Sequence, residues 1–216
     1  MSRTGIAAVL LVMVCLGCAT SNPPVPRSSG PVPEYYVVEK GDTLYEIAWR
    51  YRLDHRLLAL ANGIRPPYTI YPEQKLRLTE HVIAVHDARR VRTIPSDIAW
   101  RWPTTAAISE EFSRRNPAID FRLARGDAVR ACAAGEVVYS GAGLDGYPFL
   151  VILKHDDAYL SAYSSRQNPR VREGARVKAG ALLADTVSRA EAGGTLRFEI
   201  RTDGKAVDPR SLLGPR

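Results

Sequence analysis

From Ala128 to Ile200 the chain is broken into short apolar stretches: Ala128-Val129-Arg130-Ala131, Val137-Val138-Tyr139, Phe149-Leu150-Val151-Ile152-Leu153, Tyr159-Leu160-Ser161-Ala162-Tyr163, Leu182-Leu183-Ala184 and Leu196-Arg197-Phe198-Glu199-Ile200. Val177 marks one more, and glycine turns punctuate the series. The stretches are too short for ordinary helices and rich in branched and aromatic side chains, so they predict strands. Strands separated only by turns pair antiparallel, because parallel pairing needs a long crossover. Residues 102–216 are therefore expected to form a mostly antiparallel β domain.

Residues 35–79 carry a different and complete pattern. Tyr36-Val37-Val38 predicts a strand, and Gly41-Asp42-Thr43 a turn whose Asp or Thr caps the next helix. Leu44, Ile47, Ala48 and Tyr51 recur at helical spacing. Leu57, Leu58, Leu60 and Ala61 predict a second helix, ended by Asn62-Gly63. Leu76-Arg77-Leu78 predicts a closing strand, so the whole chain is expected to be α+β, a small strand-helix-helix-strand module followed by the β domain. Residues 80–101 read as a connection, whose Arg89-Arg90-Val91-Arg92 run is a solvated face.

The N-terminus reads as an export signal. Arg3 is followed by the apolar run Ile6 to Leu16, too short for a permanent membrane span. Prolines 23, 24, 26, 31 and 33 then make residues 19–34 an extended tether that cannot pack. The net charge of +7 suits polyanionic surroundings. For an exported chain these are anionic lipid or an envelope polymer, and nucleic acid is not an expected partner. Of three cysteines, Cys15 and Cys18 lie in the export segment, which leaves Cys132 without a disulfide partner and reading as a small buried hydrophobe.

Several segments resemble known families. Leu16-Gly17-Cys18-Ala19 resembles a bacterial lipobox, with residues 1–18 as signal peptide and Cys18 as the lipidated residue. Cys15 stands where that motif usually has Leu, so ordinary cleavage after Ala19 stays open. Ala19 after the cysteine resembles lipoproteins sent to the outer membrane, facing the periplasm. Tyr36-Val37-Val38-Glu39-Lys40-Gly41-Asp42-Thr43-Leu44, Ile47-Ala48, Asn62-Gly63-Ile64 and Pro72-Glu73-Gln74-Lys75-Leu76 are similar to a LysM domain. That resemblance implies binding of peptidoglycan glycan strands by the loops bearing Gly41, Asp42, Thr43, Leu44, Asn62, Gly63 and Ile64. Gly41, Asp42 and Asn62 serve equally well as turn and cap residues.

The domain from 102 to 216 resembles lysostaphin and LytM-type zinc peptidases. Its landmarks are Asn116-Pro117-Ala118-Ile119-Asp120, Gly126-Asp127-Ala128-Val129, Ala134-Gly135-Glu136-Val137-Val138, Val177-Lys178-Ala179-Gly180 and Leu196-Arg197-Phe198-Glu199-Ile200-Arg201. Active relatives have a His ligand four residues before an Asp ligand, and a His-any-His motif before the Phe-Glu-Ile strand. Here Asn116 stands at the first position, Asp120 at the second, and Thr195 and Arg197 at the pair. A further catalytic His position holds Ser165. Hydrolytic zinc needs about three protein donors beside an open position. A carboxamide is a poor donor and a guanidinium stays cationic, so the resemblance implies neither metal nor other cofactor and no catalysis. Arg197 is expected to pair with Asp120. His55, His81, His86 and His155 lack the spacing to replace the lost ligands.

A LysM module joined to a degenerate LytM-type domain on a lipoprotein tether resembles the NlpD and EnvC group of murein hydrolase activators. The resemblance implies that the domain switches on an N-acetylmuramoyl-L-alanine amidase during cell separation, with Asn116, Asp120, Ser165, Thr195 and Arg197 lining the partner groove. An active wall endopeptidase and a passive wall tether are the alternatives.

Overall fold

The computed structural model describes residues 32–78, 97–142, 148–185 and 193–216. The expected signal peptide with Cys18, the tether up to residue 31 and residues 80–96 of the connection lie outside the described residues.

The N-terminal module consists of β1 (Tyr35–Val37), α1 (Leu44–Arg50), α2 (His55–Ala61) and β2 (Lys75–Arg77), with β1 and β2 antiparallel and Tyr36 opposite Leu76. This is the expected order, each strand starting one residue earlier than the apolar pattern suggests. Thr43 caps α1, its Oγ1 accepting from the Glu46 amide at 3.1 Å. Asp42 instead ties the turn to β1, accepting from Tyr36 Oη at 2.7 Å and the Glu39 amide at 2.8 Å. Val38, Leu44, Ile47, Ala48, Leu58, Leu76 and Leu78 form the module's core. Leu60 is not in it: the buried stripe of α2 is Leu58 and Ala59, and Leu60 is 65% exposed.

The C-terminal domain contains β3 (Ala107–Glu110), β4 (Ile119–Leu123), β5 (Gly135–Gly141), β6 (Phe149–Lys154), β7 (Tyr159–Ser165), β8 (Arg176–Val177), β9 (Gly194–Thr202), β10 (Lys205–Val207) and the short helix α3 (Arg210–Leu213). Among the described residues the sheet runs β3-β4-β9-β7-β6-β5-β8, with β10 on β9 and every pairing antiparallel. The stretches at 128–131 and 182–184 contribute isolated bridges, Arg130 to Leu182 and Pro169 to Ala184, rather than strands. Val129, Ala131, Leu183 and Ala184 are nonetheless core residues. Packing extends upstream of residue 102, since Ile98 and Trp100 lie against the same core.

Strand alternation divides the sheet into two faces. Ile119, Phe121, Leu123, Val137, Val151, Leu153, Tyr163, Leu196, Phe198 and Ile200 point into one apolar layer. On the other face Tyr139, Leu150, Ile152, Leu160 and Ala162 pack against Trp49, with Tyr45 at the edge. Tyr139 reaches that face through a bulge: Val137 pairs with Leu153 but Tyr139 with Ile152, so Val138 is an extra residue that reverses the phase of β5.

The apolar layer also contains a closed polar chain. His155 Nδ1 lies 2.8 Å from the Ala134 carbonyl and must carry the proton, leaving Nε2 to accept from Ser161 Oγ at 2.7 Å. Ser161 Oγ is 3.0 Å from Tyr163 Oη, which accepts from the Cys132 amide at 2.8 Å. A buried polar group without partners is costly, and this chain leaves none of these atoms alone. Burial pushes the Cys132 thiol up to about 11, in keeping with a structural cysteine.

Both described histidines favour the neutral form. His55, stacked on Tyr45 with ring centroids 4.6 Å apart, is pushed by burial from 6.5 down to about 4, and burial also lowers His155. The unfolded chain takes up a proton below 6.5 that folded His55 refuses until about 4. His55 therefore contributes stability that is full above pH 6.5 and lost as pH falls toward 4, by up to about 3 kcal/mol. His55→Phe should flatten the fall of Tm between these pH values. An unchanged slope in thermal melts would refute this.

Candidate functional site

β4 and β9 are neighbours, and their register sets Asp120 directly opposite Arg197, with both side chains on one sheet face. Arg197 Nη1 donates to Asp120 Oδ2 at 2.9 Å and Oδ1 at 3.2 Å, while Nη2 donates to Asn116 Oδ1 at 2.7 Å. Asn116 Nδ2 completes the triangle at 3.3 Å from Asp120 Oδ2 and also reaches the Glu111 carbonyl. Asn116 is held by a turn in which Ser113 Oγ accepts its amide at 3.0 Å and the Ser113 amide donates to its carbonyl at 2.8 Å. The expected Arg197–Asp120 pair is thus present, with Asn116 as a third member.

The other two expected positions behave differently. Thr195 lies two residues along β9 on the Arg197 face, opposite Arg122. Ser165 does not join the group: it stands opposite core residue Leu196, with Oγ 3.5 Å from the Gln167 carbonyl, while its neighbour Ser164 stands opposite Arg197. Counting along the motif located Ser165, but the pleat decides which face a residue shares, and that favours Ser164.

Burial pushes the Asp120 carboxyl above its ordinary value, with Glu110 adding to the rise and Arg197 and Asn116 opposing it. The side chains of Arg197 and Asp120 are 17% and 20% exposed, and Asn116 is buried. The donor set does not fit zinc. Asn116 spends its oxygen on Arg197, and the guanidinium holds positive charge where a cation would sit. Among the described residues no group of three or more His, Cys, Asp and Glu side chains could hold a metal ion.

The loops expected to hold glycan are built largely by self-contacts. Gly41 and Gly63 adopt left-handed backbone at φ 97° and 66°, which a side chain would strain. Leu44 is a core residue, so its side chain is withdrawn from any ligand. Thr43 is used in capping, and Ile64 packs partly on the module's core. Asn62 donates to the Leu58 and Arg77 carbonyls at 2.8 and 3.0 Å and accepts from the Arg77 amide at 2.7 Å. Its amide clamps α2 to β2, the turn role that the sequence allows for Asn62 beside a ligand role.

Residues 36–79 match the LysM domain family and residues 114–209 match Peptidase family M23. The lipoprotein NlpD/LppB homolog of Pseudomonas aeruginosa is 34% identical, the match covering 84% of this chain and 77% of that protein. The uncharacterized lipoprotein YgeR of Escherichia coli is also 34% identical, covering 96% of this chain and 90% of its own. The murein hydrolase activator NlpD of Escherichia coli is 30% identical over 84% of this chain and 68% of its length. Among solved structures, the antimicrobial peptidase lysostaphin from Staphylococcus simulans aligns with a TM-score of 0.42 at 21% identity, covering 50% of this chain and 49% of that one.

The geometry shows where a metal site could be built. Asn116→His combined with Arg197→His would set two imidazoles beside Asp120, a donor set suited to zinc. The double variant should bind about one zinc per chain by elemental analysis after dialysis, and the parent protein none. Zinc retained stoichiometrically by the parent would overturn the reading of the site.

Proposed function

The chain belongs to the NlpD/LppB family of lipoproteins, and on that premise we propose that it is a lipid-anchored, wall-binding activator of a peptidoglycan amidase that cuts no bond itself. The observation that carries this reading is the Arg197–Asp120–Asn116 triangle, which takes up the retained carboxylate with a guanidinium in the place of a metal. A zinc hydrolase polarises its water with the ion. Here the only anionic donor of the triangle is engaged by a cation that cannot be deprotonated.

The same triangle suits a binding role. Its charged groups stay partly exposed, and they are oriented by one another. The partner in this reading is a periplasmic N-acetylmuramoyl-L-alanine amidase, seated over Asn116, Asp120, Arg197 and Thr195. The N-terminal module supplies affinity for glycan strands, through the loops at Gly41 to Thr43 and at Gly63. Cys18 supplies the lipid anchor in the outer membrane, where several acyl chains hold a protein far more firmly than one. No helix among the described residues is long and apolar enough to cross a membrane.

A reconstituted assay tests the reading. The purified protein alone should release no soluble fragments from peptidoglycan sacculi, yet it should speed their release by a cognate amidase. Arg197→Ala should weaken that stimulation about tenfold, the equivalent of losing one charged contact of 1 to 2 kcal/mol. Fragment release without any amidase would establish an endopeptidase instead. Wall binding with no effect on amidases would leave a passive tether.

A further inference from the structure

We propose that the outer face of the N-terminal module's two-stranded sheet is a seat for anionic phospholipid, which sets the tether end of the module on the membrane and turns the Gly41 to Thr43 loop away from it. This rests on the lipid-anchor part of the reading above and on none of its amidase part. Strand alternation sorts the side chains. Val38, Leu76 and Leu78 turn into the module's core, with Tyr36 packed against it. Tyr35 and Val37 of β1 turn outward with Lys75 and Arg77 of β2, Tyr35 opposite Arg77 and Val37 opposite Lys75. All four are exposed, Tyr35 by 36% and Val37 by 49%, so the face lies open.

Its composition is that of a membrane-interface contact. Lys75 Nζ and the Arg77 guanidinium carbon stand 4.1 and 5.8 Å from the centroid of the Tyr35 ring. Among the described residues neither cation has a carboxylate as ion-pair partner. Tyrosine suits a boundary where one end is apolar and the other wet, and Lys and Arg lay their stems on apolar surface while the heads reach out. Close to an anionic leaflet each such cation gains about 1 kcal/mol. A sugar is the poorer occupant, because stacking needs a bare aromatic face and both cations already lie over Tyr35.

The backbone fixes the patch and the charges orient it. Asn62 grips Arg77 through the Arg77 amide and carbonyl, at 2.7 and 3.0 Å, which keeps the end of β2 from fraying. Tyr35 and Arg77 adjoin the point where the chain enters the module, with Val32 against the core. Glu34 is in phase with Tyr36, its carbonyl accepting from the Leu78 amide at 2.9 Å, and so is not on the Tyr35 face. Beyond Val37 and Lys75, at the other end, Glu39 and Glu73 stand exposed beside Lys40. An anionic surface therefore attracts the tether end and repels the far one. Residues 19–34 separate Cys18 from Tyr35, a reach of about 50 Å at ~3.1 Å per residue. Held so near the leaflet, the patch works at high effective concentration, where two cations suffice.

Amine footprinting tests the seat. The mature chain from Cys18 onward is coupled through Cys18 to a maleimide lipid, an anchor that needs no cellular lipidation, while Cys132 is buried. On vesicles of phosphatidylglycerol, compared with phosphatidylcholine, a soluble succinimidyl ester should label Lys75 about fivefold less, the factor equivalent to ~1 kcal/mol. Lys40, Lys178 and Lys205, exposed elsewhere, should react alike on both lipids. Arg77→Glu, and separately Tyr35→Ser, should restore Lys75 labelling without lowering Tm, since Asn62 holds only the backbone of Arg77. Equal labelling of Lys75 on the two lipids, or protection that survives both substitutions, overturns the proposal. A fall at every lysine shows attraction by net charge alone and overturns it too. Protection of Lys75 by purified sacculi instead of vesicles assigns the face to the wall polymer and overturns the lipid seat. Amidase stimulation enters none of these outcomes, so the activator reading stands or falls separately.

Discussion

A carboxylate on a partly covered sheet face needs a counter-charge, and in this chain Arg197 provides it for Asp120. The guanidinium reaches Asp120 with one nitrogen and Asn116 with the other, so three side chains from two strands and a turn are fixed by a single planar group. Arginine suits this better than lysine, because its fork presents several donors in fixed directions. The chemistry of the face follows from that pairing: the positive charge beside Asp120 is a fixed, covalent part of β9.

β9 organises the rest. Its even positions Leu196, Phe198 and Ile200 lie in the apolar layer, and its odd positions Arg197, Glu199 and Arg201 line the opposite face. One strand thereby serves three purposes: it anchors the core, carries the site and meets the N-terminal module through Arg201 and Trp49. Glu199 sits between the two arginines on that face and pairs with Arg201, keeping the positive charges from standing unbalanced beside each other.

Much of this was legible in the sequence. Caps and turns announce the small module because Thr43 and the glycines act locally, and the paired positions of Asp120 and Arg197 follow from the family motif. The face of Ser165 was not legible, since it depends on the register of β7 against β9. β3 escaped because Ala107–Glu110 carries one large apolar residue, and β4 because its apolar residues Ile119, Phe121 and Leu123 alternate with Asp120 and Arg122 instead of forming a run, although such alternation is itself a strand signal. The role of Asn62 was half legible: its place at the end of α2 shows, but its bonds to Arg77 depend on the return of β2. Docking of the module left one trace, the aromatic pair Tyr45 and Trp49 on the side of α1 that a freestanding helix would give to water.

The bulge at Val138 ties these observations together at the level of a single residue. Because side chains alternate, one surplus residue inverts everything that follows it in the strand. Without it, the ring of Tyr139 would turn toward the interior beside Val137 and leave a gap under α1. Attachment between the two halves of the molecule is therefore written partly as a change of phase, invisible to composition and hydropathy, and a deletion of one codon would erase it.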